Sequence, residues 1–212
     1  RIVRLNTDGT VDTSFDAGSG FSDSVQEIGV QPDGRVVAVG HFTSVNGVNR
    51  NRIARLNSDG SVDDTFNPGG GANNPILDML VQPDGRTVIV GDFSSFNGVS
   101  RKGVARINSD GTLDETFGLG DGPDFSVHAV VMQRDGRVII AGDFKNYDGV
   151  ACEGVVRLNP DGSIDKSFNS ALGFDDSVRC IALQEDGRIV IGGFFGHVGN
   201  VARGRIARLN PD

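Results

Sequence analysis

The residues whose types and spacing come nearest to chemistry form four copies of one acidic set. Asn6, Asp8 and Asp12 stand around Gly9, and the arrangement returns as Asn57, Asp59 and Asp63, as Asn108, Asp110 and Asp114, and as Asn159, Asp161 and Asp165. Oxygen side chains gathered about a sharp glycine turn are how calcium loops are built. Against calcium, the place of the first oxygen ligand is held by Arg4, Arg55, Arg106 or Arg157. A guanidinium there removes an anion and adds a cation, which favours an Asx-type turn with a cross-strand Arg–Asp pair. Calcium is therefore only a secondary expectation, and no other cofactor is implied. Zinc is weaker: His41, His128 and His197 lie far apart in the chain, and no short ligand spacing joins them to Asp92 or Asp143. Cys152 and Cys180 define no disulfide framework and read as isolated thiols, their pairing left open. No Gly-x-Ser-x-Gly elbow, Cys–His pairing or phosphate loop is present, so no catalytic residue is expected.

The elements that must position these groups come from a repeat. Arg-Leu/Ile-Asn begins at Arg4, Arg55, Arg106, Arg157 and Arg208, an interval of 51 residues each time. Asp-Gly-Arg at Asp33, Asp84, Asp135 and Asp186 keeps the same interval, as does Gly-x-Phe from Gly40, Gly91, Gly142 and Gly193. Within a period four strands are expected. Strand A runs from Val25 to Gln31, with copies starting at Ile76, Val127 and Val178. Strand B runs from Arg35 to Phe42, strand C from Arg52 to Asn57 and strand D from Val62 to Phe66. Asp-Gly between apolar runs is a hairpin signal. Strand B is apolar at nearly every position, as in Val36-Val37-Ala38-Val39, and must be covered on both faces. A single sheet cannot do that for itself, but sheets stacked around an axis can. The fold class is all-β, a β-propeller of four-stranded antiparallel blades, and residues 1–212 form one domain.

Closure is ambiguous at this level. RIVRLNTD at 1–8 matches RIARLNPD at 205–212, so strand C is represented once more than strand A. In a four-bladed ring the N-terminal strands C and D, within residues 1–15, would complete the last blade, with two copies of strand C competing for one place. Alternatively, the four repeats belong to a larger ring whose further blades come from the parent chain or from a second copy. The chain opens in mid-pattern without Met and is expected to be a piece of a longer protein.

The string GDFSSFNGVSRKGVARINSDGTLDETF from Gly91 to Phe117 resembles the delta-60 repeat, a bacterial β-propeller family. The matching elements are Gly-x-Phe, Asn-Gly-Val, Ala-Arg-Leu/Ile-Asn, Asp-Gly-Ser/Thr and Asp-x-x-Phe, together with Gln-Pro-Asp-Gly-Arg. All four repeats carry them, with departures at Cys152, Phe194 and Gly199-Asn200. The resemblance implies a secreted or surface-exposed bacterial protein. It carries over no catalytic residues.

A meander puts both tight Asp-Gly turns on one face and both long loops, Asp16–Ser24 and Thr43–Asn51, on the other. Long loops on a rigid frame are where binding residues accumulate. Near the central channel on that face, the start of strand A and the end of strand B vary between repeats. The candidate ligand-binding residues are Gln26, Asp78, His128 and Arg179 with His41, Asp92 and Asp143. Apolar residues at Val45, Phe96, Tyr147 and Val198, and Val48, Val99, Val150 and Val201, are expected to tuck under the Thr43–Asn51 loop and its copies. A net charge of −8 argues against nucleic acid or an anionic membrane surface, and no apolar stretch is long enough for a membrane helix. The expected function is a non-enzymatic extracellular module binding protein or glycan. The alternatives are a passive spacer or adhesin segment, and a lyase-type enzyme with His128 or His41 as base.

Overall fold

β-Branched runs between Asp-Gly turns fold as antiparallel meanders, four times over. The computed structural model describes residues 2–168 and 173–211. Blade 1 contains β1 (Val25–Val30), β2 (Val36–Gly40), β3 (Ser44–Val45), β4 (Val48–Asn49) and β5 (Ile53–Leu56). Blade 2 contains β6 (Ile76–Val81), β7 (Thr87–Gly91), β8 (Ser95–Phe96), β9 (Val99–Ser100) and β10 (Val104–Ile107). Blade 3 contains β11 (Val127–Met132), β12 (Val138–Gly142), β13 (Asn146–Tyr147), β14 (Val150–Ala151) and β15 (Val155–Leu158). Blade 4 contains β16 (Val178–Leu183), β17 (Ile189–Gly193), β18 (His197–Val198), β19 (Val201–Ala202) and β20 (Ile206–Leu209). Strands A, B and C form one sheet per blade, in the order β1-β2-β5 and its equivalents. The A–B hairpin closes where Gln31 N–H donates to the Arg35 carbonyl, and Gly34 takes the left-handed φ of 83° that this turn requires.

Strand D is shorter than expected. It is a single bridge, Leu56↔Val62 in blade 1, flanked by Asp63 N–H donating to Arg55 O at 2.9 Å. The reason is the next residue pair. The Asp63 carboxylate accepts from both Thr65 N–H and the Thr65 hydroxyl, so an Asx turn takes the backbone a longer ladder would use. The long B–C loops carry the two-residue hairpins β3–β4, β8–β9, β13–β14 and β18–β19. Val45, Phe96 and Tyr147 are buried beneath them as expected, whereas Val48, Val99, Val150 and Val201 stay exposed, because they sit on the outer limb with no segment covering it.

The blades pack in succession through their inner strands, β1 on β6, β6 on β11 and β11 on β16. Val37, Ala38 and Val39 of β2 have no exposed surface, so consecutive positions are buried on opposite faces of one sheet. At the junction of blades 1 and 2, Val37, Val39, Ile53 and Phe66 meet Ile76, Met79, Ile89 and Ala105. A buried clamp crosses each junction. Arg106 Nε donates to Asp114 at 2.8 Å, Nη1 donates to the Pro160 carbonyl of the next blade at 2.6 Å, and the guanidinium lies 4.5 Å from the Phe117 ring centre. Arg4, Arg55 and Arg157 repeat the arrangement. A second tie joins inner strands: Asp78 accepts from Met79 N–H and, across the junction, from Val130 N–H at 2.8 Å. Burial pushes the Asp78 carboxyl up to about 6; the two backbone donors oppose that only in part, and Glu27 adds repulsion.

The described N-terminal residues lie against blade 1. Val11 bridges Leu5, and Phe15 and Ala17 pack with Ala38, Phe42 and Leu56 of blade 1. Among the described residues β20 has β17 as its ladder partner, and no packing of comparable weight joins β16 back to β1. Pairing across the Asn6–Thr10 turn closes a loop of a few residues, whereas pairing Val11 with Leu209 closes one of about 200, at higher entropic cost.

The clamp predicts that Arg106→Ala lowers unfolding free energy in urea by about 3 kcal/mol, because the buried Asp114, still held by Thr116, keeps only the more exposed Arg86 as a cation partner. Arg4→Ala, at the solvated copy of the clamp, should be nearly silent in the same measurement. Asp78 predicts a pH dependence of definite sign. Its folded pKa lies above the ordinary carboxylate value, so its contribution is fully present below about pH 4 and is lost as pH rises through about 6. The loss of unfolding free energy between pH 4 and pH 7 should be smaller in Asp78→Asn by about 2–3 kcal/mol.

Candidate functional site

Each inner strand starts with a β-bulge, and the bulge aims the site. Pairing slips between Val25 and Glu27, between Ile76 and Asp78, between Val127 and Ala129, and between Val178 and Cys180. The extra residues are Gln26, Leu77, His128 and Arg179. A bulge leaves its extra residue outside the ladder and turns its side chain away. The glycine ending strand B makes this possible: a Cβ on Gly142 would run into the Ser126 carbonyl and one on Gly193 into the Ser177 carbonyl. Those carbonyls accept from the next backbone N–H, that of Asp143 and that of Phe194, both at 2.9 Å. The varying residue after each glycine is thereby pinned beside the varying residue of the bulge.

At the junction of blades 3 and 4 these positions converge into one polar cluster. His128 Nε2 lies 2.8 Å from Asp143 Oδ2, and Arg179 Nη1 lies 2.8 Å from the same Nε2 and 3.3 Å from Nδ1. The Ser177 hydroxyl donates to Asp143 Oδ1, and Arg179 Nη2 is 3.8 Å from that oxygen. Phe194, 60% exposed, lies under the Arg179 guanidinium at 5.2 Å. One ring nitrogen carries either a proton or a lone pair. His128 Nε2 can therefore donate to the carboxylate or accept from the guanidinium, not both. The cluster is over-subscribed, and an arriving hydroxyl or carboxylate would relieve the competition. Burial pushes the Asp143 carboxyl up, but Ser177, His128 and Arg179 together bring it below the usual range, so it is an anion and an acceptor. Ser177 donates to that carboxylate rather than to an imidazole.

Two similar crevices, each about 260 Å³, open between blades on this face. Asp92, Ser94, Lys102 and exposed Phe125 line one; Asp143, Lys145, Glu153 and Ser177 line the other. A roomier hollow, about 700 Å³, lies instead beside the tight turns, where Asp135 and Asp186 are paired with the arginines of their own turns. Two of its carboxylates are thus already matched, whereas the cluster on the long-loop face brings together residues that vary between repeats and is the better candidate.

Of the seven residues expected to bind ligand, His128, Asp143 and Arg179 come together. Gln26 is exposed beside Glu27 and Ile2 at the open side of blade 1, Asp92 lines the blade 2–3 crevice, and Asp78 serves as an inter-blade tie. His41, half-buried, accepts through its carbonyl from Arg52. The histidines do not converge: His128 pairs with Asp143, whereas His197 pairs with Asp175 on the outer hairpin at 3.0 Å. No cluster of His, Cys, Asp or Glu suited to a metal occurs among the described residues. The acidic turns do not fit calcium. Asp12 accepts from Ser14 and from Arg4, and Asp8 from Thr10, so their oxygens are bound within the turn and a cation already sits on one of them. Ser14 and Thr10 hold Asp12 at about 2 and Asp8 below its ordinary value. Both cysteines are free; burial pushes the Cys152 thiol up to about 12, and Cys180 is exposed.

Sequence reasoning passed over Ser177 and a series of loop latches. Ser22, Asn73, Asp124 and Asp175 each accept two successive backbone N–H groups from the facing long loop, as Asp124 does from Lys145 and Asn146 at 2.8 and 3.1 Å. The signal was there, in small acceptor side chains recurring every 51 residues.

Comparison with known proteins bears on the frame more than on the site. A search of curated proteins finds no match. The chain is similar to the WD40 beta propeller domain of Doa1, with a TM-score of 0.57 and 14% identity over 88% of this chain and 50% of that one. It is also similar to an extracellular domain from B. thetaiotaomicron (TM-score 0.54, 14% identity, 88% of this chain and 23% of that one). A third is PorZ, a bacterial surface component of the type-IX secretion system of Porphyromonas gingivalis (TM-score 0.51, 13% identity, 97% and 29%). The chain spans half or less of the length of these three. A family model for a beta-propeller domain of unknown function, DUF5122, matches residues 1–15, 31–66, 82–117, 133–168 and 184–212. Those segments cover most of the sequence in the register of the blades, and the chain belongs to the DUF5122 beta-propeller family.

Proposed function

We propose that this chain is a non-enzymatic binding module that takes a glycan at the inner rim of its long-loop face. The observation that carries the reading is the His128–Asp143–Arg179 cluster with Phe194 exposed beside it. Sugars offer hydroxyls that both donate and accept, and C–H faces that stack on aromatic rings. The rim supplies an anionic acceptor in Asp143, donors in Arg179 and Ser177, and two exposed rings, Phe194 and Phe125. An extracellular or cell-surface setting fits the similarity to an extracellular domain and to PorZ, and it agrees with the likeness of the repeats to the delta-60 type.

The test is an immobilised glycan panel that includes uronic acid-bearing oligosaccharides, read with the wild type and with Arg179→Ala and Asp143→Ala. The expected outcome is a ligand whose affinity falls at least about tenfold, or 1.4 kcal/mol, in each variant while the thermal midpoint changes little. Undiminished binding in both variants would move the site elsewhere, and a panel without any binder would leave the spacer reading in possession.

A further inference from the structure

Every seam between blades has the same corner on the long-loop face, built around the residue that follows the strand-B glycine. That residue is His41 at the seam of blades 1 and 2, Asp92 at the seam of blades 2 and 3, and Asp143 at the seam of blades 3 and 4. At the first seam a guanidinium of the chain itself enters the corner. Arg52 Nη1 donates to the His41 carbonyl, and Arg52 Nε is buried, so the group is inserted rather than laid on the surface. Arg52 does this from the left-handed region, at a φ of 67°, where its counterparts in the next two blades are Gly103 and Gly154 at 63° and 89°. That backbone favours glycine, so an arginine held there is an exception kept by its contacts. At the third seam a guanidinium arrives from the other blade: Arg179 Nη2 lies 3.8 Å from Asp143 Oδ1. The middle seam receives neither. Gly103 stands in the register of Arg52, and His128, in the register of Arg179, is turned to Asp143.

We propose that the crevice between blades 2 and 3 binds a guanidinium group brought by a ligand, as an arginine side chain or as a small guanidinium compound. The site lies one seam away from the glycan cluster and stands without it. Three features suit this ion. The crevice, about 260 Å³, opens where Gly103 lacks a side chain: a Cβ there would meet Pro123 at 2.9 Å and Val127 at 3.3 Å. Asp92 lines it with a carboxylate that has no hydrogen-bond or ion-pair partner among the described residues. Two carboxylate oxygens match two N–H groups on one edge of a guanidinium, a fit that a compact ammonium cannot make. Phe125, 65% exposed, is part of the lining, and the guanidinium plane stacks on such a ring. The second carboxylate on the lining, Asp124, is taken by the backbone N–H groups of Lys145 and Asn146 and by the Asn146 amide, which leaves Asp92 as the anion for the ligand. One lining residue, Lys102, opposes a cation, and blade 3 has Glu153 in its register. The chain's own use of a guanidinium at the two flanking corners is the strongest pointer to what the middle one accepts.

Amide chemical shifts of the full chain read this site directly, because Gly91, Gly103 and Ser126 line it. The probes are a capped Gly-Arg-Gly peptide, the same peptide with lysine or with citrulline in place of arginine, and methylguanidinium. The arginine peptide should shift those amides along a saturable curve. The lysine peptide should bind at least about tenfold more weakly, and the neutral citrulline peptide should leave the amides where they are. Methylguanidinium binding as tightly as the arginine peptide would assign the site to small compounds, and a tenfold advantage of the peptide would assign it to a protein partner. Asp92→Asn should weaken the arginine peptide at least about tenfold, and Lys102→Glu should strengthen it. Gly103→Arg, which repeats the arrangement of blade 1, should remove binding, and the nearly isosteric Asp92→Asn keeps the test independent of how that larger side chain fits. Absence of saturable shifts at the crevice would overturn the proposal. So would equal binding of the lysine peptide, or undiminished binding in Asp92→Asn. The glycan panel is read with other variants, so either reading can fail alone.

Discussion

Each blade has two apolar faces and can cover neither alone. Val37 and Val39 look one way while Ala38 looks the other, and all three lie wholly out of water. A three-stranded sheet buried on both sides is stable only between two others, so the stacking is a condition of each blade's existence. The other regularities follow. The period is rigid because each junction must present the same side chains, and the inner strands pack in sequence order because every blade's nearest available cover is the next one.

The Arg clamp translates that condition into sequence. A guanidinium buried against Asp114 and Phe117 must also satisfy its outer nitrogen, and it finds the carbonyl of the following blade's turn. Buried ion pairs are poor sources of net stability but strict about geometry. A blade that slipped in register would strand the charge. The motif Arg-Leu/Ile-Asn with its Asp-Gly turn is therefore a device for register, which is why it returns unaltered while the rim residues change.

Much of the frame was legible because period-two patterning, Asp-Gly turns and glycine spacing report directly on local backbone. The reduction of strand D to one bridge was not, since the Asx turn of Asp63 competes with the ladder in a way that the apolar Val62 and Phe66 at the two ends of the expected strand conceal. The exposure of Val48 and its copies was hidden likewise, because a two-residue hairpin has an uncovered limb that hydrophobicity cannot reveal. The site was half visible. Variation at His128, Arg179 and Asp143 marked the rim, but their meeting depends on a bulge that pairs Val127 with Gly142 and frees the residue between. Asp78 belonged to the same series and became a tie instead, because its neighbour across the junction offers a free backbone N–H.

The bulge has one further consequence. In a stack where each unit touches only its neighbours, opening is local to one seam at a time. The His128–Asp143–Arg179 cluster draws its members from blades 3 and 4, so it straddles the seam between them. Occupancy and opening are then two readings of one equilibrium: whatever is held between those side chains also rivets one blade to the other, and whatever parts the blades lets the cargo go.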